Sequence, residues 1–163
     1  MGVKMDSKVI NYAKLTLDNR TTERLFDFCR EHQLGLLGED DQAQVSADDF
    51  GFHITVMYSQ VAHPQFKDGV YDIYPMSLRV DMFSMFGPNH DILALKLKKE
   101  KLFINLHEYY LQTYGHVSDF PANPHISIKG SKVEDKERVY RLPRPTFDIV
   151  ANKLTHKVKI VTA

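Results

Sequence analysis

Apolar and polar residues alternate along "INYAKLTLD", with Ala13, Leu15 and Leu17 on one side and Tyr12, Lys14 and Thr16 on the other. That is the period of a strand with one buried face. The period changes in "NRTTERLFDFCREHQLG", where Leu25, Phe28, Cys29 and His32 recur at helical spacing. Thr21 or Thr22 can cap the start of that helix, and Gly35 can close its last turn. An acidic, turn-rich connection around Glu39 to Asp49 leads into "FHITVMYS". A strand over Phe52 to Tyr58 would place His53, Thr55 and Met57 on one face and Ile54, Val56 and Tyr58 on the other.

Beyond a loop holding His63 and Pro64, "MSLRVDMFSMFG" alternates as one strand and stops at Gly87-Pro88. "DILALKL" is a further strand, and "KKEKLFINLHEYYLQTYG" is a helix with Leu102, Leu106, Tyr109 and Tyr110 on a common side and Gly115 as its stop. After the loop "HVSDFPANP", strands are expected in "HISIKG", in "PTFDIVAN" and in "KLTHKVKIV". In the last of these, Lys157 and Lys159 alternate with Val158 and Ile160 and are expected on a solvated face.

Taken in order, strand, helix, His-bearing strand and strand occur twice, which predicts an α+β protein. Its two pseudo-symmetric lobes, about residues 10–86 and 91–161, would form one domain over 1–163. That length suits one well-buried domain. Lys plus Arg and Asp plus Glu each number 21, so the whole-molecule field does not draw in long nucleic acid and any phosphate ligand is expected to be small. The single cysteine, Cys29, excludes an intrachain disulfide and suits a reducing compartment, so the cytoplasm is expected. No apolar run reaches membrane-spanning length, and "MGVKMDS" has neither a signal-peptide core nor, with Asp6, a myristoylation motif.

The candidate chemistry lies in two tetrapeptides, His53-Ile54-Thr55-Val56 and His125-Ile126-Ser127-Ile128, each reading His, apolar, hydroxyl, apolar. Displacement at phosphorus needs a base on the attacking oxygen and an acid on the leaving oxygen, and imidazole serves either role near neutrality. Thr55 and Ser127 share faces with their histidines and can donate to the non-bridging oxygens. Neither strand adds a carboxylate or cysteine to the histidine's face, so a zinc site is a poor fit and no metal or other cofactor is expected. Which histidine is acid and which base stays open.

These paired motifs, each preceded by a strand and a helix, resemble the signature of the 2H phosphoesterase superfamily. The resemblance implies a bilobal α+β fold with antiparallel sheets lining a central groove and helices outside. It also implies metal-independent cleavage with His53, Thr55, His125 and Ser127 as the working residues. Within the superfamily, "YAKLTLD" and the short chain are similar to phage anti-CBASS phosphodiesterases, which degrade the cyclic di- and trinucleotide signals, such as cGAMP, of bacterial antiphage defence. With no tryptophan in the chain, base stacking would fall to Tyr or Phe. Tyr12 is the candidate stacking residue, Lys14 a candidate phosphate contact, and Phe120, in the loop entering the second motif, a candidate at the border of the site.

Two other classes remain open. One is a 2H enzyme acting on 2′-5′ linkages or on RNA ends with 2′,3′-cyclic phosphates. The other is a protein that binds cyclic nucleotides without turning them over. Of the remaining six histidines, His32 and His107 lie on predicted helices and His63 and His90 beside prolines or turn residues, and these four, with His116 and His156, are expected on the surface or in packing.

Overall fold

The computed structural model describes residues 7–34, 52–60, 63–86, 92–114, 123–128 and 136–162. Strand β1 is Ser7–Leu17. Its Ala13, Leu15 and Leu17 are buried, while Tyr12, Lys14 and Thr16 are partly open on the other face. Helix α1, Asn19–Glu31, begins one turn earlier than a threonine cap would allow. Its cap is Asp18, whose Oδ1 accepts the Thr21 amide at 2.7 Å, and Thr22 instead donates its hydroxyl to the Asp18 carbonyl. Thr21, assigned to the cap from sequence, is buried inside the helix.

The end of α1 is built on Gln33, which has φ 57°. The Gln33 amide donates to the Arg30 carbonyl and the Leu34 amide to the Cys29 carbonyl, the double bond of a Schellman motif. Gly35, the expected stop, lies outside the described residues. A non-glycine residue in the left-handed region costs about 1 kcal/mol. Gln33→Gly is therefore expected to raise stability by about 0.5–1 kcal/mol, read as a higher urea midpoint at unchanged m-value.

Strands β2, His53–Ser59, β3, Gly69–Leu78, and β7, Ile149–Thr162, join β1 in a four-stranded antiparallel sheet ordered β2-β1-β7-β3. Strands β4, Val80–Phe86, β5, Ile92–Leu97, and β6, His125–Ser127, form a three-stranded antiparallel sheet ordered β4-β5-β6. Helix α2 is Lys101–Tyr114 and α3 is Lys136–Tyr140.

Three expectations change here. "MSLRVDMFSMFG" is not one strand. It breaks at Arg79, and its halves enter different sheets, because Leu78 pairs with Ile149 and Val80 with Leu97. The two C-terminal strands are one, since β7 runs unbroken past Asn152, with local register shifts there against Thr16 and Leu17 of β1 and between Asp72 and Met76 of β3. The inward stripe of α2 is Phe103, Leu106, Tyr110 and Tyr114, whereas Leu102 and Tyr109 are 57% and 60% exposed. Strand pairing also cuts across the division of the chain near residue 90. Strand β4 pairs with β5 and β7 with β1, so each half gives a strand to the other half's sheet.

One apolar cluster backs both sheets, joining Leu15, Leu25, Ile54 and Met57 to Leu93, Leu95, Phe103 and Ile126. Phe28 of α1 stacks on Phe83 of β4 at 5.9 Å. Helix α2 reaches β7, where the Tyr110 hydroxyl meets His156 Nε2. Burial pushes the Tyr110 phenol well above its ordinary range, so it keeps its proton and donates. Burial lowers His156, against a backbone hydrogen bond at Lys67 that favours the charged form. Stacked on Phe66 at 4.4 Å and edge-on to Tyr71, His156 is thus a neutral packing residue on the core face.

Candidate active site

The two His-bearing strands are edge strands. Strand β2 ends the four-stranded sheet, β6 ends the three-stranded one, and the sheets meet along these two edges. Alternation turns Ile54 and Ile126 into the core, both fully buried, and leaves His53, Thr55 and His125 half-buried and Ser127 exposed. Each motif therefore presents its imidazole and hydroxyl on the open side of its sheet.

The first motif departs from simple alternation. Register slips between Ala13 and Lys14, so Thr55 pairs with Lys14 but Met57 pairs with Ala13, and Val56 is an extra residue, a bulge. Met57 consequently turns into the core, fully buried, and does not share the face of His53 and Thr55. Tyr58 takes its place there, with its ring edge-on to Tyr12 at 5.8 Å. The sequence carries no glycine or other signal for this bulge.

Tyr12, on β1 opposite Tyr58, reaches both motif residues. Its hydroxyl lies 2.7 Å from His53 Nε2 and 3.0 Å from Thr55 Oγ1. Burial raises the Tyr12 phenol above its usual value, against the Thr55 hydrogen bond that favours the phenolate, with the neighbouring Tyr58 raising it further. Tyr12 is therefore a neutral hydroxyl with one proton to give. When His53 donates Nε2–H to Tyr12, Tyr12 donates to Thr55, and the Thr55 proton is left for an oxygen outside the chain. Tyr12→Phe, which keeps the ring and deletes this link, is expected to lower kcat about tenfold with a smaller change in KM, as measured by steady-state kinetics.

The second motif is oriented differently. His125 Nδ1 lies 2.8 Å from the Asn123 carbonyl, so Nδ1 carries the hydrogen and the neutral ring has its lone pair on Nε2. Phe86 of β4 stacks on the same ring at 4.8 Å and 15°. The dipeptide Asn123-Pro124 was the available signal, because a residue before proline is held extended and its carbonyl can be set beside the following strand. The Pro124 carbonyl in turn accepts the Leu97 amide, tying the entry of β6 to the end of β5.

Of the other candidates, Lys14 lies directly opposite Thr55 on the open face, and Phe120 lies outside the described residues. The acidic stretch from Glu39 to Asp49 and the stop at Gly115 also fall outside them. Among the described residues, no group of three or more His, Cys, Asp and Glu side chains gathers to hold a metal ion, and no helix is long and apolar enough to cross a membrane.

No protein-family model matches this chain, and no curated protein matches its sequence. Solved structures match its shape. E. coli LigT complexed with 3′-AMP aligns with a TM-score of 0.58 at 12% identity, over 96% of this chain and 95% of that chain. The same protein in apo form gives 0.54 at 12% identity, and complexed with phosphate 0.53 at 10%, with the same coverage of both chains. At such identities the likeness is one of architecture, and this chain has the α+β fold with antiparallel sheets of LigT, a 2H phosphoesterase.

Proposed function

We propose that this chain is a metal-independent phosphodiesterase that cuts 3′-5′ linkages of cyclic di- or trinucleotides, with His53 and His125 as its acid–base pair. The observation that carries it is the meeting of the two sheets along β2 and β6, the strands that hold the two His-x-Thr/Ser motifs. In the first step the base takes the proton of a ribose 2′-hydroxyl, and that oxygen attacks phosphorus. The 5′-oxygen leaves with a proton from the acid, and the product is a linear nucleotide ending in a 2′,3′-cyclic phosphate. Thr55 and Ser127 donate to the non-bridging oxygens as charge builds. Water then opens the cyclic phosphate with the roles exchanged.

The hydrogen bonds favour one assignment of roles. His125, with Nδ1–H held by the Asn123 carbonyl, offers the Nε2 lone pair of a base. With His125 as the base, the acid's part falls to His53, which would turn its Nε2–H from the Tyr12 hydroxyl to the leaving 5′-oxygen. Tyr12 would stack a base with part of its ring, Lys14 would meet phosphate, and Phe120 would border the site. A phage enzyme of this kind would act in the host cytoplasm as a counter-defence protein that removes cyclic signals such as cGAMP.

A second reading draws on the 3′-AMP bound by LigT, a mononucleotide. On that reading the substrate is a 2′-5′ linkage or an RNA end with a 2′,3′-cyclic phosphate. A panel of cyclic dinucleotides, cyclic trinucleotides, 2′-5′ dinucleotides and cyclic-phosphate RNA ends, incubated in EDTA, separates the possibilities. Consumption of the cyclic oligonucleotides is expected. Cleavage of RNA ends or 2′-5′ linkages alone selects the second reading, and a ligand retained but recovered intact selects a binding protein.

A further inference from the structure

The chain is neutral overall, yet four of its fourteen lysines, Lys14, Lys153, Lys157 and Lys159, lie on one open face of the four-stranded sheet. Along β7, Lys153, Thr155, Lys157 and Lys159 alternate with Leu154, His156 and Val158, which turn toward the core. Register puts Thr155 opposite Lys14 and Lys157 opposite Tyr12, and the same β1 residues lie opposite Thr55 and Tyr58 on β2. The lysines therefore share the face of the first motif, two strands away, about 10 Å at ordinary strand spacing. The Lys159 ammonium already leans back toward it, 5.9 Å from the centre of the Tyr12 ring.

Carboxylates near this face lie on the β3 side. Asp72 is opposite Lys153, and Asp68 Oδ1 is taken by the Val158 amide at 2.6 Å. Among the described residues, register places no carboxylate on this face of β1 or β2. Lysines on a strand edge also deter pairing with other chains. That explanation fits Lys157 and Lys159, where β7 is paired with β1 alone, but not Lys153, where it is paired on both sides, and it does not call for Lys159 to lean inward over the Tyr12 ring beside the first motif.

We infer that Lys157 and Lys159, flanking Tyr12, form a second phosphate subsite that holds the non-reacting phosphate of a ligand whose reacting phosphate lies at His53 and Thr55. This rests on the phosphodiesterase reading and deepens it. The substrate class becomes a nucleotide with at least two phosphates about two strand spacings apart, as a cyclic or linear oligonucleotide has and a nucleoside cyclic monophosphate has not. Lysine suits such a site because its flexible stem follows a phosphate as a point charge without fixed geometry. The contact is electrostatic and weakens with salt.

The test compares the full chain with the double variant Lys157→Ala, Lys159→Ala, after circular dichroism and thermal melting show that both are folded. kcat/KM is measured for a cyclic dinucleotide and for a nucleoside 2′,3′-cyclic monophosphate. The ratio of the two is expected to fall about tenfold in the variant, and the slope of log KM for the dinucleotide against log salt should shrink by about 1. An unchanged ratio and slope overturn the subsite while leaving the phosphodiesterase reading standing. If the unaltered chain cleaves neither substrate, that reading falls, and binding of the cyclic dinucleotide by equilibrium dialysis decides the subsite. About tenfold weaker binding by the variant supports it, whereas equal binding, or none by either protein, overturns it.

Discussion

His53→Ala and His125→Ala are each expected to lower kcat on a cyclic dinucleotide by about 10²–10⁴-fold, the usual worth of a positioned general acid or base. Both imidazoles are half-buried on the open side of their sheets, so neither change hollows the core, which is held by Ile54 and Ile126 behind them. Melting temperature should move by only a few degrees. The double variant should be little worse than either single one, because an acid and a base that serve one proton-transfer sequence fail together. Two independent additive losses would mean that the strands act at separate places. The measurement is single-turnover kinetics with melting curves on the same preparations.

The second large effect concerns the hydroxyls. On the proposed mechanism Thr55→Val and Ser127→Ala would each remove a donor from the oxygens that gain charge in the transition state, and each is expected to lower kcat by about 10²-fold with KM changed little. Thr55 should be the more sensitive of the two. Its Oγ1 also ends the chain from His53 through Tyr12, at 3.0 Å from the Tyr12 hydroxyl, so its loss disturbs the imidazole as well. Ser127 is exposed and has Ala94 opposite it on β5. Thr55→Ser, which keeps the hydroxyl, should restore most of the loss; failure of that rescue would point to packing in place of proton donation.

Local patterns in the sequence reveal the elements that set up the site. Alternation in "INYAKLTLD" and "HITV" depends on burial of one strand face, which residues two apart register directly. The α+β class follows from the order of those elements. Features set by distant partners are not legible in the same way. The break at Arg79 arises because Leu78 and Val80 find partners in different sheets, a choice made by β7 and β5 far along the chain. In α2, apolar residues occur all around the helix, with Leu102, Ile104, Tyr109 and Leu111 exposed, so periodicity could not single out the face bearing Phe103 and Tyr110.

Within the site, the residue types of both motifs are readable and their second contacts are not. The bulge at Val56 reverses the faces of Met57 and Tyr58, since one extra residue inverts every side chain that follows. Tyr12 was legible as an open-face aromatic. Its hydroxyl contact with His53 and Thr55 depends on the cross-strand register of β1 against β2, to which no local pattern points.

The most direct measurement is the mass of the first product formed from a cyclic dinucleotide in ¹⁸O-labelled water containing EDTA. Attack by the ribose 2′-hydroxyl rearranges the linkage without adding water, so the first product should be a linear dinucleotide of unchanged mass and free of label, with label entering only when its cyclic phosphate opens. A first product already one labelled water heavier, or substrate recovered intact, would contradict a histidine pair that cuts by transesterification.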